Sequence, residues 1–273
     1  MSKGLSDQEI KAAASLLSGD RLAALLRITG TERDAFEVHQ QMMAVAAALM
    51  PVTGLIEITL RNAICDRLRQ MFGTPDWLNN PPAPFSWRGE EASSLKRATR
   101  QGQRAEYAKK SNADKKALDA TAYPNGVPQN VSHEDRAKCR QKAIQINAGQ
   151  QIAQLTIHFW KRLFSSDYEA TLWDRSLKRL FPNKRLTRAD VATQLEAIYQ
   201  ARNRIAHHEP LYGTRLDKTI EAIDFVAESF GEKQRNPDAI LCKMIGPQRV
   251  ALQQEADKLA AMLAAFSVTT GTP

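Results

Sequence analysis

Cysteine is scarce in this chain of 273 residues. The three present, Cys65, Cys139 and Cys242, lie far apart and form no CxxC or CxxH spacing. An odd, sparse set of this kind excludes a disulfide framework and a thiolate-built structural zinc site, and it fits a reducing compartment. The opening stretch, MSKGLSDQEIKAAASLLSGD, has no apolar core behind Lys3, so no signal peptide is read and a soluble, cytoplasmic protein is expected. Long hydrophobic runs are also missing. The longest, Met42–Val52, has 11 residues and includes Pro51, against the roughly 20 that cross a bilayer. No GxxxxGK[ST], HExxH, GxSxG or GxGxxG occurs, so NTPase, zinc-protease, α/β-hydrolase and dinucleotide chemistries lack support. No clean period-2 run of β-branched residues argues for a sheet.

What is present is helix-forming and basic. Hydrophobic residues make up 43% and charged residues 25%, which is ordinary for a globular chain and excludes wholesale disorder. The formal net charge is +8, and it is unevenly placed. Residues 1–90 hold 9 Lys+Arg against 10 Asp+Glu, residues 91–188 hold 20 against 9, and residues 189–273 hold 9 against 11. The whole excess lies in the middle third. A solvated face is the plain reading of such a stretch, and an anionic partner, above all nucleic acid, is the functional one.

The apolar spacing predicts an all-α fold. Helices are expected over Asp7–Leu17 and Arg21–Ile28, separated by Ser18-Gly19-Asp20. Thr31 and Asp34 have the spacing of a helix start. Pro51 is expected to break or kink the helix that follows, with a second helix running from Val52 to Phe72 and stopping at Gly73. NNPPAP at 79–84 and YPNGVPQN at 123–130 read as loops. A further helix is expected over Asp167–Leu180. Thr187 and Asp190 open another that runs to about His208, because Pro210 disfavours helical geometry at Glu209. Helices over Arg215–Phe230, Asp238–Ile245 and Pro247–Phe266 complete the chain. Residues 1–273 are read as a single all-helical domain, with 80–142 as a basic, loop-rich insertion.

The segment Ala201–Pro210, ARNRIAHHEP, carries the chemistry. Val191, Leu195, Ile198 and Ile205 form one apolar stripe, and Arg202 falls on it where an apolar residue is expected. Asn203 and His207 are an i,i+4 pair on one face. Arg202 is long enough to lean toward them. Glu209 is expected near Arg202, where it would orient the guanidinium, and His208 is a lesser candidate. Two readings stay open at this point. An arginine on a helix stripe can be a structural ion-pair member, and histidines at a helix end can interact with the last carbonyls. Alternatively, the three side chains form a reactive site.

Arg202-Asn203-Arg204-Ile205-Ala206-His207 resembles the R-N-x-x-x-H motif of the HEPN ribonuclease superfamily. The flanking sequence is similar to the Abi-like (abortive infection) family. It includes His158-Phe159-Trp160-Lys161-Arg162-Leu163-Phe164, Tyr168-Glu169-Ala170-Thr171-Leu172-Trp173, Leu180-Phe181-Pro182-Asn183, and the upstream Leu55-Ile56-Glu57-Ile58-Thr59-Leu60-Arg61-Asn62-Ala63-Ile64. The resemblance covers roughly residues 40–75 and 145–215. One departure is His158, where a glycine is more usual, and a packing effect is expected there.

The resemblance implies a HEPN-type helical bundle acting as a metal-independent endoribonuclease in antiphage defence or as a toxin. It also implies a homodimer whose two motifs build one composite site, and no cofactor. In it, His207 would move protons, Arg202 would meet phosphorane charge, and Asn203 would hold the histidine tautomer or the phosphate. It further implies partners: substrate RNA, a small regulatory RNA, or an antitoxin. A nucleotidyltransferase antitoxin is disfavoured, since relatives so controlled carry a tyrosine two residues after the motif histidine, where Glu209 stands here. A non-catalytic RNA-binding protein is the alternative function.

Other residues read as follows. Glu57, Arg61 and Asn62 form a second polar set on an apolar helix, either bracing the bundle or supporting Arg202 and His207. Trp160 and Trp173 read as core. Phe85 and Trp87 read as loop anchors ahead of base stackers. Arg97, Arg100, Arg104, Lys109, Lys110, Lys115 and Lys116 are the candidate RNA contacts.

Overall fold

The computed structural model describes residues 4–17 and 19–269. Ser18, part of the expected break, lies outside these, as do 1–3 and 270–273. Among the described residues all regular structure is helical, with no strand. The chain divides into two compact units, one of residues up to Leu60 with Lys178 onward, the other Arg61–Leu177. The basic segment 80–142 falls wholly inside the second unit.

The first unit contains α1 (Asp7–Leu17), α2 (Gly19–Thr29) and most of α3 (Glu32–Phe72). The Thr31 hydroxyl and backbone of Asp34 bond as their spacing requires: Thr31 Oγ1 donates to Asp34 Oδ2 at 2.6 Å, and Asp34 N donates to Thr31 Oγ1 at 3.1 Å. The expected break at Pro51 does not occur, because α3 runs through it. Val38, Met42, Val45, Leu49, Val52, Ile56 and Leu60 are all buried, and their spacing of three or four stays in register across the proline. Each such side chain contributes roughly 1.5–3 kcal/mol, so the stripe outweighs one lost hydrogen bond and a clash of about 3 kcal/mol. Pro51 itself faces solvent. By length and composition α3 is also apolar enough to cross a membrane, and 33% of that stretch is buried.

The same correction applies at the C-terminus. One helix, α12 (Ile240–Thr269), replaces the two expected around Pro247. Leu241, Ile245, Leu252, Ala256 and Leu259 stay buried along it, and Pro247 is exposed. Between these elements lie α10 (Arg188–Ala206) and α11 (Thr214–Ser229), which pack on each other. Thr187 and Asp190 close a reciprocal capping box at the start of α10.

The second unit carries α4 (Gly89–Lys109), α5 (Asn112–Ala117), α6 (Asp119–Ala122), α7 (His133–Lys142), α8 (Ala148–Ile152) and α9 (Ile157–Arg162). The expected helix over Asp167–Leu180 is instead a 3₁₀ turn (Ser166–Tyr168), a π turn (Glu169–Trp173) and a second 3₁₀ turn (Leu177–Leu180). Asp174 N reaches Glu169 O at 2.9 Å, closing the wide turn. Leu172 and Trp173 on this turn are buried. Phe85 and Trp87 sit in a cluster with Phe72, Trp77, Phe159 and Tyr168, with centroids 5.0–6.4 Å apart. They anchor the 79–88 loop to the core. Trp160 and Trp173 are buried.

Candidate functional site

The motif segment closes α10. The helix stops at Ala206, two residues before the expected end, with His207 as the cap residue. His208 N donates to Ile205 O at 3.1 Å and Glu209 N to Arg204 O at 2.7 Å. His208 has φ +54. This is a Schellman termination with a histidine, rather than glycine, in the left-handed position, and a proline follows soon after. A non-glycine residue there costs about 1 kcal/mol. The turn is held from two sides. Arg21 Nη1 donates to His208 O at 2.8 Å. Arg204 donates to Pro210 O through Nε and Nη2 at 3.1 and 3.0 Å and pairs with Glu209 at 3.0 Å.

That pairing corrects one expectation. Glu209 orients Arg204, not Arg202. The left-handed step at His208 takes Glu209 off the helical wheel on which its position was projected. A second correction concerns the stripe. Ala201 fills the buried turn between Ile198 and Ile205, while Arg202 is only half-buried.

Arg202 and Asn203 are half-buried and His207 is exposed. Among the described residues none of their three side chains makes a hydrogen bond or ion pair. The expected support from His208, Glu209 and Glu57 therefore does not reach them through such bonds. Glu57 and Arg61 are half-buried and Asn62 is exposed. Arg61 Nε is buried without a hydrogen-bond partner.

A buried ionic cluster in the second unit escaped the sequence reading. Glu91 is 1% exposed. It accepts from Tyr168 Oη at 2.7 Å and from Arg162 Nε at 2.9 Å. Arg162 also pairs with Asp167 at 2.9 Å, and Arg88 N donates to Tyr168 Oη at 3.0 Å. Burial and the bond to Glu91 push the Tyr168 hydroxyl well above the usual phenol range. The recoverable hint was a carboxylate on the face that α4 shares with Leu95 and Ala98.

The basic candidates fall into two groups. Arg97, Arg100 and Arg104 are exposed and lie within about 60° of one another on α4. They face away from the buried Glu91, Leu95, Ala98 and Gly102. A Cβ at Gly102 would come within 2.8 Å of Ile146 Cδ1, the movable tip of a side chain. Among the described residues Arg97 and Arg104 have no ion pair, and Arg100 Nε donates to Lys96 O at 3.3 Å. The lysines are less free. Lys109 pairs with Glu106 at 2.7 Å, and Lys115 lies 5.2 Å from the Tyr107 ring centre. Lys110 is half-buried and Lys116 exposed. Part of the regional charge is internal, because Arg136 and Arg140 both clasp Asp119. Their hydrogen bonds hold its carboxyl far below the usual range.

Among the described residues no group of three or more His, Cys, Asp and Glu is placed to hold a metal ion. The chain matches no known family profile, no curated protein and no solved structure.

Proposed function

We propose that the protein is a HEPN-type, Abi-like endoribonuclease that cleaves RNA without a metal, acts in the cytoplasm as a homodimer, and serves antiphage defence or a toxin role. The observation that carries this reading is the partner count at the end of α10. A half-buried arginine, an adjacent half-buried asparagine and an exposed histidine one turn on have no internal hydrogen bond or ion pair among the described residues. Polar side chains retained without a structural partner are available to a ligand.

The chemistry balances on these groups. The ribose 2′-OH attacks phosphorus and its proton passes to a base. The P–O5′ bond breaks, and the departing 5′ oxygen takes a proton. The products are a 2′,3′-cyclic phosphate and a 5′-OH. His207 serves both proton transfers, as general base to the 2′-OH and then as general acid to the departing 5′ oxygen. The Arg202 fork offsets charge on the phosphorane oxygens. Asn203 binds a phosphate oxygen or the imidazole.

The test is cleavage of single-stranded RNA in EDTA by wild type, Arg202→Ala and His207→Ala. Equal activity in wild type and His207→Ala under every activating condition ends the ribonuclease reading. Mixing Arg202→Ala with His207→Ala protomers tests the composite site: recovered cleavage supports it, and no recovery assigns each site to one chain.

The exposed arginine stripe on α4 favours a second reading, a non-catalytic protein holding a small regulatory RNA. RNA that binds tightly but stays intact in EDTA and in magnesium selects it. Co-purification with a small protein inhibitor would place an antitoxin on the same site.

A further inference from the structure

We infer that the loops at the far end of the α10–α11 pair form an anion site that takes the phosphate groups of a polyphosphate or of an RNA backbone. The observation is a pocket of about 500 Å³ lined by Pro182, Asn183, Lys184, Arg185, Lys233 and Gln234. Three of the six lining residues are cations and none is acidic. Among the described residues Lys184, Arg185 and Lys233 have no ion pair. Glu228, at the end of α11, is committed to Arg235 at 2.7 Å. Glu232 precedes Lys233 and does not line the pocket. Three uncompensated charges around one cavity repel each other, and an anion of several charges relieves that repulsion.

The loops that carry these cations are fixed. Gly231 N donates to Leu180 O at 2.8 Å, and the Phe181 and Phe230 rings meet edge to face at 5.7 Å. Gly231 has φ +78, a left-handed turn that glycine adopts without strain. On the other loop, Arg185 N donates to Asn183 Oδ1 at 3.0 Å and Leu186 N to Asn183 O at 3.1 Å. The Asn183 oxygen is thereby used internally. Its amide nitrogen and the Gln234 amide remain as neutral donors beside the three cations.

The lining also says what the ligand is not. Pro182 is the single apolar lining residue and no aromatic side chain is present. A nucleobase would find no stacking surface there. Recognition therefore runs through phosphates: a planar fork from Arg185 and two point charges from the lysines. The pocket lies at the start of α10, whose 19 residues span about 28 Å. It is separate from the R-N-x-x-x-H turn at the other end, and it does not rest on the ribonuclease reading.

The experiment titrates the full chain with sodium tripolyphosphate by calorimetry at low salt. Saturable binding is expected for wild type. Lys184→Ala/Lys233→Ala should weaken it about tenfold or more, since charged hydrogen bonds are lost. Arg97→Ala/Arg100→Ala/Arg104→Ala, which alters the other basic surface, should leave it unchanged. All substituted residues are exposed, and circular dichroism checks that each variant stays folded. No saturation with wild type, or equal weakening in the α4 variant, overturns the site. A single-stranded hexaribonucleotide then separates the sources. Competition with tripolyphosphate, lost in the pocket variant, assigns RNA backbone, and absence of competition assigns a free polyphosphate.

Discussion

Arg162 and Arg202 are both half-buried arginines on helices rich in buried apolar residues, and the protein treats them in opposite ways. Arg162 is surrounded by acceptors, Glu91 and Asp167 at 2.9 Å each. Glu91 in turn accepts a hydrogen bond from the Tyr168 hydroxyl. Arg202, in the other unit, has no such partner among the described residues, and neither do Asn203 and His207. Counting partners separates an ionic group that holds the fold from one that the fold leaves available. Charge and burial alone do not.

The largest effect that could break this contrast lies at the motif. His207→Ala should lower RNA cleavage by at least about 100-fold, as loss of a proton-transfer group does. It should change stability by less than about 0.5 kcal/mol, because no internal bond is lost. Cleavage rates in EDTA and a urea melt measure the two. A large stability loss would place His207 with the structural groups.

The converse holds for Glu91→Ala. Removing the carboxylate leaves the buried Tyr168 hydroxyl without its acceptor and takes one of the acceptors of Arg162, at a cost of about 1–3 kcal/mol. Chemical denaturation followed by aromatic fluorescence should show it, and an unchanged midpoint would contradict the structural role.

On the RNA-facing side, Arg97→Ala/Arg100→Ala/Arg104→Ala should flatten the dependence of log affinity on log salt by about 2, given roughly 0.7 per phosphate on single strands. Filter binding at several salt concentrations reads the slope. A slope equal to that of wild type assigns RNA to another surface.

His208→Gly should raise stability by up to about 1 kcal/mol, because the left-handed step no longer strains a side chain. A lower melting midpoint would mean that the imidazole contributes more than the strain it causes.

The smallest effect concerns acid. Burial and the Arg21 charge hold His39 below its ordinary pKa, so its neutral form is favoured in the fold. That contribution is present above the unfolded value of about 6.5 and is lost as pH falls through the lower folded value. Stability should therefore decline below about pH 6.5, and His39→Gln should remove that part of the decline in melts taken between pH 7 and 5.

What was legible in the sequence was local. The Thr31–Asp34 and Thr187–Asp190 caps need only residues three apart, and they form as read. The stop at Gly73 rests on a single left-handed residue, again local. Pro51 and Pro247 mislead for the opposite reason. The proline penalty is local, while the stripes that outweigh it are decided by what packs against them. At the motif, the residues R-N-x-x-x-H stood in the sequence, but the partner of Glu209 did not. A histidine in a position usually marked by glycine moved the end of the helix and turned Glu209 toward Arg204.

By itself the sequence determined the helical class, the capped starts, the basic middle third and the motif residues. These follow from propensity, charge and bonds within one helical turn. Only the tertiary structure decided which polar groups are satisfied. Glu91 and Arg162 are 71 residues apart, and the loops around Lys184 and Lys233 meet only because α10 and α11 pack together. Satisfaction of a buried charge depends on whatever chain arrives beside it, and no spacing along the sequence encodes that arrival.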